Sequence, residues 1–227
     1  MTTMEEETIS SGSKVLDDLL NGGYESDIVT TIYGPSGSGK SNIAMMALVA
    51  NAGKKVFYVD TESGFSVTRL KQLTDEYEKV LDNTVLVTPG SLDDQGTTFE
   101  KLKDNVSKKV GLLIVDSIAM LYRLEVAKTN NVKETNQQLA EQIANLIRIA
   151  RDHNVPVLVT NQVYSSFDDD EVKLVGGDIL RYGSKCLIEL QKEGSDRKAI
   201  IRKHRSMAAG KEAPFKIVDK GIIDVES

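Results

Sequence analysis

The sequence predicts an α/β fold: a mostly parallel sheet flanked by helices, continued by an antiparallel C-terminal extension. Three observations lead there. Short, nearly continuous apolar runs alternate with amphipathic stretches, as strands buried on both faces alternate with the helices that cover them. After Gly177 the alternation stops, and four short β-rich runs follow one another with turn residues between them. The 227 residues, 40% hydrophobic and 27% charged, suit one compact domain large enough to bury its own core.

Taken in order, residues 1–8 are acidic and read as a flexible tail ahead of a single domain over 9–227. Ile28–Tyr33, Val56–Asp60, Val85–Thr88, Leu112–Asp116 and Val155–Thr160 are the expected parallel strands. Helices are expected over Ser41–Asn51, Val67–Leu81, Thr98–Lys109 and Glu134–Asp152. Thr97 and Glu100 offer a capping box for the third, and Leu139, Ile143, Leu146, Ile147 and Ala150 lie at helical spacing in the fourth. The tail reads as strands over Ser184–Leu190, Lys198–Lys203, Phe215–Val218 and Ile222–Val225. Turns at Glu193-Gly194-Ser195 and Asp219-Lys220-Gly221 separate them.

Composition excludes several classes. No apolar run approaches the ~18–20 residues of a membrane span, and the acidic start is unlike a basic-then-apolar leader. One cysteine, Cys186, allows no internal disulfide, and two histidines make no zinc cluster. A reducing cytoplasm is therefore the expected compartment, with no membrane partner. Net charge is −6, yet Ile179–Lys216 holds ten Lys/Arg against four acids, so the remainder carries −12. Because fields are screened over ~8 Å, a local basic face can still meet a polyanion.

Gly34-Pro35-Ser36-Gly37-Ser38-Gly39-Lys40-Ser41 fits G-x-x-x-x-G-K-[ST] in full. A strand runs into it and a helix leaves it, as a phosphate loop requires. The glycines let successive N–H groups approach phosphate oxygens, and the helix dipole adds positive potential. Lys40 is expected to neutralise the β- and γ-phosphates, and the Ser41 hydroxyl to ligate Mg²⁺, with Asn42 beside it. Leu112-Leu113-Ile114-Val115-Asp116 ends an apolar strand in an acid, the expected second Mg²⁺ carboxylate. Asp60-Thr61-Glu62 and Thr160-Asn161-Gln162 close two further strands at the edge where a ligand lies. A carboxylate there can orient water in line with a terminal phosphate.

These residues resemble the RecA/RadA recombinase family over most of the chain. Ile9-Ser10-Ser11-Gly12-Ser13-Lys14-Val15-Leu16-Asp17-Asp18-Leu19-Leu20 looks like the segment opening its ATPase core. Asp60-Thr61-Glu62-Ser63-Gly64-Phe65, Val159-Thr160-Asn161-Gln162-Val163 and Gly176-Gly177-Asp178-Ile179-Leu180 match later segments. The resemblance implies a RecA-like P-loop NTPase core using ATP and Mg²⁺, with Glu62 as the water-activating base and Arg69 stacked on adenine. Gln162 would couple ATP to DNA-contacting loops. Within the family the nearest branch is the short archaeal one, which has no N-terminal helix-hairpin-helix domain. The resemblance further implies single-stranded DNA, a RadA-type recombinase, a Holliday-junction nuclease and a DNA polymerase subunit as partners, and leaves self-association open. Arg123, Lys128, Arg202, Lys203, His204 and Arg205 are the candidate contacts to DNA or to a neighbouring subunit.

The chain departs from a strand-exchange recombinase in two places. Val163–Val175 carries Asp168-Asp169-Asp170-Glu171 against Lys173, a net −3, with only Tyr164 and Phe167 available for stacking on bases. DNA affinity comes largely from neutralised phosphates, so an anionic loop binds it poorly. Phe-x-x-Ala, by which such recombinases link protomers, is missing from the sequence. The expected function is an ATP-binding, weakly hydrolysing DNA-binding accessory of recombination and repair. A KaiC-like signalling ATPase and a non-hydrolysing ATP-switched adaptor remain as alternatives.

Overall fold

The computed structural model describes residues 7–129, 131–165 and 172–225. A small ribbon comes first: β1 (Thr8–Ile9) pairs antiparallel with β2 (Tyr24–Glu25) around α1 (Lys14–Leu19). Thr8 therefore belongs to the fold, and the Glu7 carbonyl accepts from the Ser26 amide at 2.8 Å. Glu7 and Thr8, expected in the tail, are thus held by this ribbon, and residues 1–6 lie outside the described ones. β3 (Val29–Gly34), α2 (Lys40–Asn51), β4 (Lys55–Asp60), α3 (Val67–Leu73), α4 (Tyr77–Asn83) and β5 (Thr84–Val87) follow. Then come α5 (Leu92–Asn105), β6 (Val110–Asp116), α6 (Met120–Thr129), α7 (Val132–His153) and β7 (Val157–Ser165). The chain continues through β8 (Val172–Leu174), α8 (Gly177–Gly183), β9 (Cys186–Glu193), β10 (Asp196–Lys203), β11 (Glu212–Val218) and β12 (Gly221–Asp224).

The main sheet runs β12-β11-β10-β9-β3-β7-β6-β4-β5, with β8 joined to β7. Strands β9 through β5 are parallel, and β9 through β12 are antiparallel. This is the predicted architecture, with one addition: β9 sits parallel beside β3, so the antiparallel part begins only at β10. Every residue of β3 and β6 is buried, which is why both read as nearly continuous apolar runs with only Thr30, Thr31 and the terminal Asp116 as polar members. Side chains alternate between faces. Leu112 and Ile114 join Ile43, Leu48, Leu70 and Leu16 under α1 to α4, while Leu113 and Val115 join Phe99, Leu139, Ile143 and Leu180 under α5, α7 and α8. Among the described residues no helix is long and apolar enough to cross a membrane.

Two helices differ from expectation. The single helix expected over Val67–Leu81 is broken at Thr74, which is extended (φ −153°) and caps the Glu76 amide with its hydroxyl at 3.1 Å. Such a hydroxyl competes with the helical ladder. The helix expected from Thr98 begins at Leu92 instead. Ser91 is its cap, accepting from the Asp94 amide at 3.0 Å, so Thr97 and Glu100 lie inside it and form no capping box. Gly96 obscured this start, since glycine weakens a helical pattern. Its reason is packing: a Cβ there would come within 3.2 Å of Gln142 on α7.

Phe215 on β11 is fully buried and, with Ile217, underlies Gly39 of the phosphate loop. Phe215→Ala should lower unfolding free energy by about 3–5 kcal/mol, the usual cost of emptying such a site. Urea denaturation followed by circular dichroism would measure it.

Candidate nucleotide-binding site

The register of the parallel strands brings the motif residues to one edge. Gly34 is opposite Gln162 across β3 and β7, and Asp60 is opposite Asp116 across β4 and β6. Between β3 and α2, Gly37 (φ 71°) and Gly39 (φ 105°) hold backbone conformations that favour glycine. Gly34 is needed for a different reason, because a Cβ there would meet the Leu190 carbonyl of β9 at 2.4 Å. Lys40 is 9% exposed, and its ammonium donates to the Gly34 and Pro35 carbonyls, each at 2.9 Å. Burial pulls its pKa below the usual lysine value, opposed by the charges of Glu62 and Asp116. Lys40 is thus a desolvated cation held by neutral carbonyls, with two carboxylates near it. That arrangement fits a phosphate, which would supply the missing counter-charge.

Asp116 is nearly buried and accepts from the Tyr58 hydroxyl at 2.9 Å and from the Thr160 hydroxyl, with Ser41 hydrogen-bonded beside it. Burial raises its pKa above the carboxylate value, and the three hydroxyls oppose that rise. Ser41 and Asp116 are therefore brought together, two oxygen donors of the kind Mg²⁺ takes. Asp60 does a different job. Its carboxylate accepts from the amides of Glu62 (3.1 Å), Gly64 (3.1 Å) and Phe65 (2.9 Å), folding the loop that carries Glu62. Glu62 Oε1 in turn accepts from Ser117 Oγ and from Gln162 Nε2 at 2.9 Å. Among the described residues its Oε2 accepts nothing. Lys40 and Ser41 at the start of α2, Glu62 in the loop after β4, Asp116 on β6 and Gln162 on β7 thus converge at one end of the sheet.

Arg69 and Asn42 form a second group at the side of the loop. The Arg69 guanidinium donates twice to Asn42 Oδ1 (2.8 and 2.6 Å), to Gln72 Oε1 (2.7 Å), and to the Val218 and Asp219 carbonyls (2.9 Å each). It is anchored from several sides, over the β11–β12 turn.

The candidate nucleic-acid contacts are dispersed. Arg123, on α6, donates to Gln162 Oε1 at 2.9 Å. Lys128 is mostly exposed, 3.9 Å from Glu125. Arg202 pairs with Glu189 at 2.6 Å, and Arg205 with Glu25 and Asp27 at 2.6 and 2.8 Å. The His204 side chain is 2% exposed, 3.7 Å from Glu25. Lys203 donates to the Arg181 and Ser184 carbonyls at 2.7 and 2.8 Å; burial and the charges of Lys185 and Arg181 lower its pKa. Glu25 and Asp27 precede β3, so His204 and Arg205 sit at the end of the sheet remote from Gly34, about 17 Å away at the usual rise per residue. The basic segment is therefore not one face. The tail cations near the loop are ones the sequence reading did not single out: Arg197 donates to the Gly37 carbonyl at 3.3 Å, and Lys192 reaches the same glycine. The signal was available, since Lys192 and Arg197 stand opposite one another across the Glu193-Gly194-Ser195 turn. The acidic run Asp168–Glu171 and Phe167 lie outside the described residues.

A sheet of this order, ending in these side chains, defines a phosphate-loop protein of the recombinase type. The Rad51 family model matches residues 4–225, and the chain belongs to that family. Over 219 residues it is 44% identical to the DNA repair and recombination protein RadB of Methanobrevibacter smithii, covering 92% of each chain. To the protein of that name from Methanoculleus marisnigri it is 40% identical over 225 residues, 96% of this chain and 99% of the other. The crystal structure of the RadB recombinase superposes with a TM-score of 0.81 at 36% identity, covering 96% of this chain and all of that one. The resemblance read from the sequence, and the fold it implied, are borne out.

The raised pKa of Asp116 carries a stability consequence. The folded carboxyl holds its proton more tightly than the unfolded one, so ionising it disfavours folding as pH rises above about 3.8. In protein free of magnesium and nucleotide, Asp116→Asn should leave the melting temperature unchanged near pH 4 and raise it at pH 7. A series of melts between those limits checks both ends.

Proposed function

We propose that this chain is an ATP-binding accessory of homologous recombination and DNA repair. It hydrolyses ATP slowly, binds single-stranded DNA weakly, and modulates a RadA-type recombinase in the cytoplasm. Residues 9–227, joined by Thr8 of β1, act in this reading as one ATPase domain. The observation that carries it is the convergence of Lys40 from the start of α2, Glu62 from the loop after β4 and Asp116 from β6 at one end of the sheet. Family membership and the printed names of the relatives support the setting in recombination; Holliday-junction processing and a polymerase subunit are narrower extensions of it.

The chemistry follows from the residues. Lys40 can exchange its two carbonyl partners for phosphate oxygens, and the amides of the loop cradle the same group. Ser41 and Asp116 would hold Mg²⁺, which when bound offsets phosphate charge. Glu62 keeps Oε2 open to accept a proton from water as the water oxygen bonds the γ-phosphorus and the bond to ADP breaks. Arg69 and Asn42, fixed over the β11–β12 turn, would border the base. The anionic Asp168–Glu171 run argues against efficient strand exchange, and so does the missing Phe-x-x-Ala sequence.

Two experiments test this reading. Lys40→Ala should abolish binding of a fluorescent ATP analogue, whereas Glu62→Gln should retain binding and reduce turnover by roughly 10²-fold or more, in the range of a lost general base. Equal turnover in wild type and Glu62→Gln removes Glu62 from that role. Neutralising Asp168–Glu171 to Asn and Gln should leave DNA affinity equal or raised in fluorescence anisotropy. A steep loss, or strand exchange by the protein alone, contradicts the accessory role.

A further inference from the structure

Arg69 has no hydrogen-bond donor to spare. A guanidinium carries five N–H groups in one plane, and each is used here. Nε and Nη2 donate to Asn42 Oδ1, Nη1 to Gln72 Oε1 and the Asp219 carbonyl, and Nη2 also to the Val218 carbonyl. A phosphate or the edge of a base therefore finds no free in-plane donor at this side chain. The faces of the guanidinium are another matter, since Arg69 is only half-buried. Such a face attracts the flat π-system of a ring and does not read the groups on the ring's edge.

Asn42 sets where that face stands. Its Nδ2 donates to Met46 Sδ at 3.7 Å, one turn further along α2, which leaves the oxygen end of the amide for Arg69. Gln72 lies on α3 with Arg69 itself, and Val218 and Asp219 lie at the β11–β12 turn. Of these acceptors only Asn42 belongs to α2, two residues after Lys40. It alone among them ties the guanidinium plane to the helix that leaves the phosphate loop, and so fixes the span between the plane and the phosphates. We propose that Asn42 is a positioning residue for Arg69, and that through this contact the site selects nucleoside triphosphates by ring area, purine over pyrimidine, without distinguishing adenine from guanine. This inference rests on the nucleotide reading above. A larger ring covers more of the face and gains more dispersion and cation–π attraction. Because Arg69 is half-buried, the contact belongs between the exposed and the desolvated cases, roughly three- to tenfold in affinity.

The test compares wild type, Asn42→Ala, Asn42→Asp, Arg69→Ala and the double alanine variant as full chains. Isothermal titration calorimetry in Mg²⁺ measures their affinities for ATP, GTP, CTP and inorganic tripolyphosphate. Asn42→Ala should weaken ATP and GTP alike, roughly three- to tenfold, weaken CTP less, and change tripolyphosphate least of all. Asn42→Asp keeps an acceptor for both Arg69 donors and adds charge near the phosphates. It should weaken all four titrants together and preserve the ratio of ATP to tripolyphosphate affinity. In the Arg69→Ala background, Asn42→Ala should have no further effect, because Asn42 acts through that guanidinium. Equal losses for ATP, CTP and tripolyphosphate in Asn42→Ala would put its role at the phosphates or in the folding of the loop, and overturn the inference. Unchanged ATP affinity overturns it as well, and so does a loss for ATP that GTP does not share. In each of these cases ATP binding by the wild type leaves the nucleotide reading standing. Wild-type protein that binds neither ATP nor tripolyphosphate overturns both readings together.

Discussion

Charge gathered at one end of a buried sheet is the constraint on which the rest of the structure depends. Lys40, Asp60 and Asp116 are each buried or nearly so, and all stand at the carboxyl ends of β3, β4 and β6 or just beyond them. Isolated ions in that position would be far too costly to keep. Each is therefore met by a specific partner: carbonyls for Lys40, three amides for Asp60, three hydroxyls for Asp116. The apolar bodies of the same strands supply the stability that offsets the cost of burying those polar ends. Asp116, whose pKa burial raises, is the plainest instance of a charge held at a cost to folding.

Much of this was legible in the sequence because local rules and the global fold agree. Leu112–Asp116 is apolar until its last residue, the form of a strand buried on both faces, and the phosphate loop is what lends its final acid a meaning beyond capping a loop. The phosphate loop was legible for a similar reason, since G-x-x-x-x-G-K-[ST] constrains both backbone and charge. The misread elements are those where tertiary packing overrides local pattern. Gly96 looks like a helix breaker until α7 is laid against it; the Thr74 break depends on one hydroxyl, which no periodicity records. The parallel placement of β9 beside β3 was also hidden. A strand preceded by a short helix and followed by a hairpin carries the signals of both neighbours, and only the register decides between them.

The site residues divide along the same line. Lys40, Ser41, Glu62, Asp116 and Gln162, each expected at a strand end or in a loop whose chemistry is dictated locally, lie together in the structure. The basic tail was read from a sum of charges, and sums carry no direction. Alternation sends neighbouring residues of a strand to opposite faces, and a hairpin puts its turn and its open end at opposite ends of the sheet. Lys192 and Arg197, close to the turn, lie beside Gly37; Lys203, His204 and Arg205, at the far end of β10 and beyond, meet the α8 carbonyls, Glu25 and Asp27.

That division also changes what the acidic body of the protein does. Glu25, Asp27 and Glu189 contribute to the −12 outside and the acids inside the basic segment, yet all three are bound to its cations. Removing one partner from such a pair leaves the other charge partly buried and unmatched, which destabilises far more than an exposed pair contributes. Substitutions at Arg202 or Arg205 therefore act on the fold before they act on any ligand. Arg123 is the contrasting case: it is exposed, it has a neutral partner in Gln162, and its loss leaves no buried charge behind.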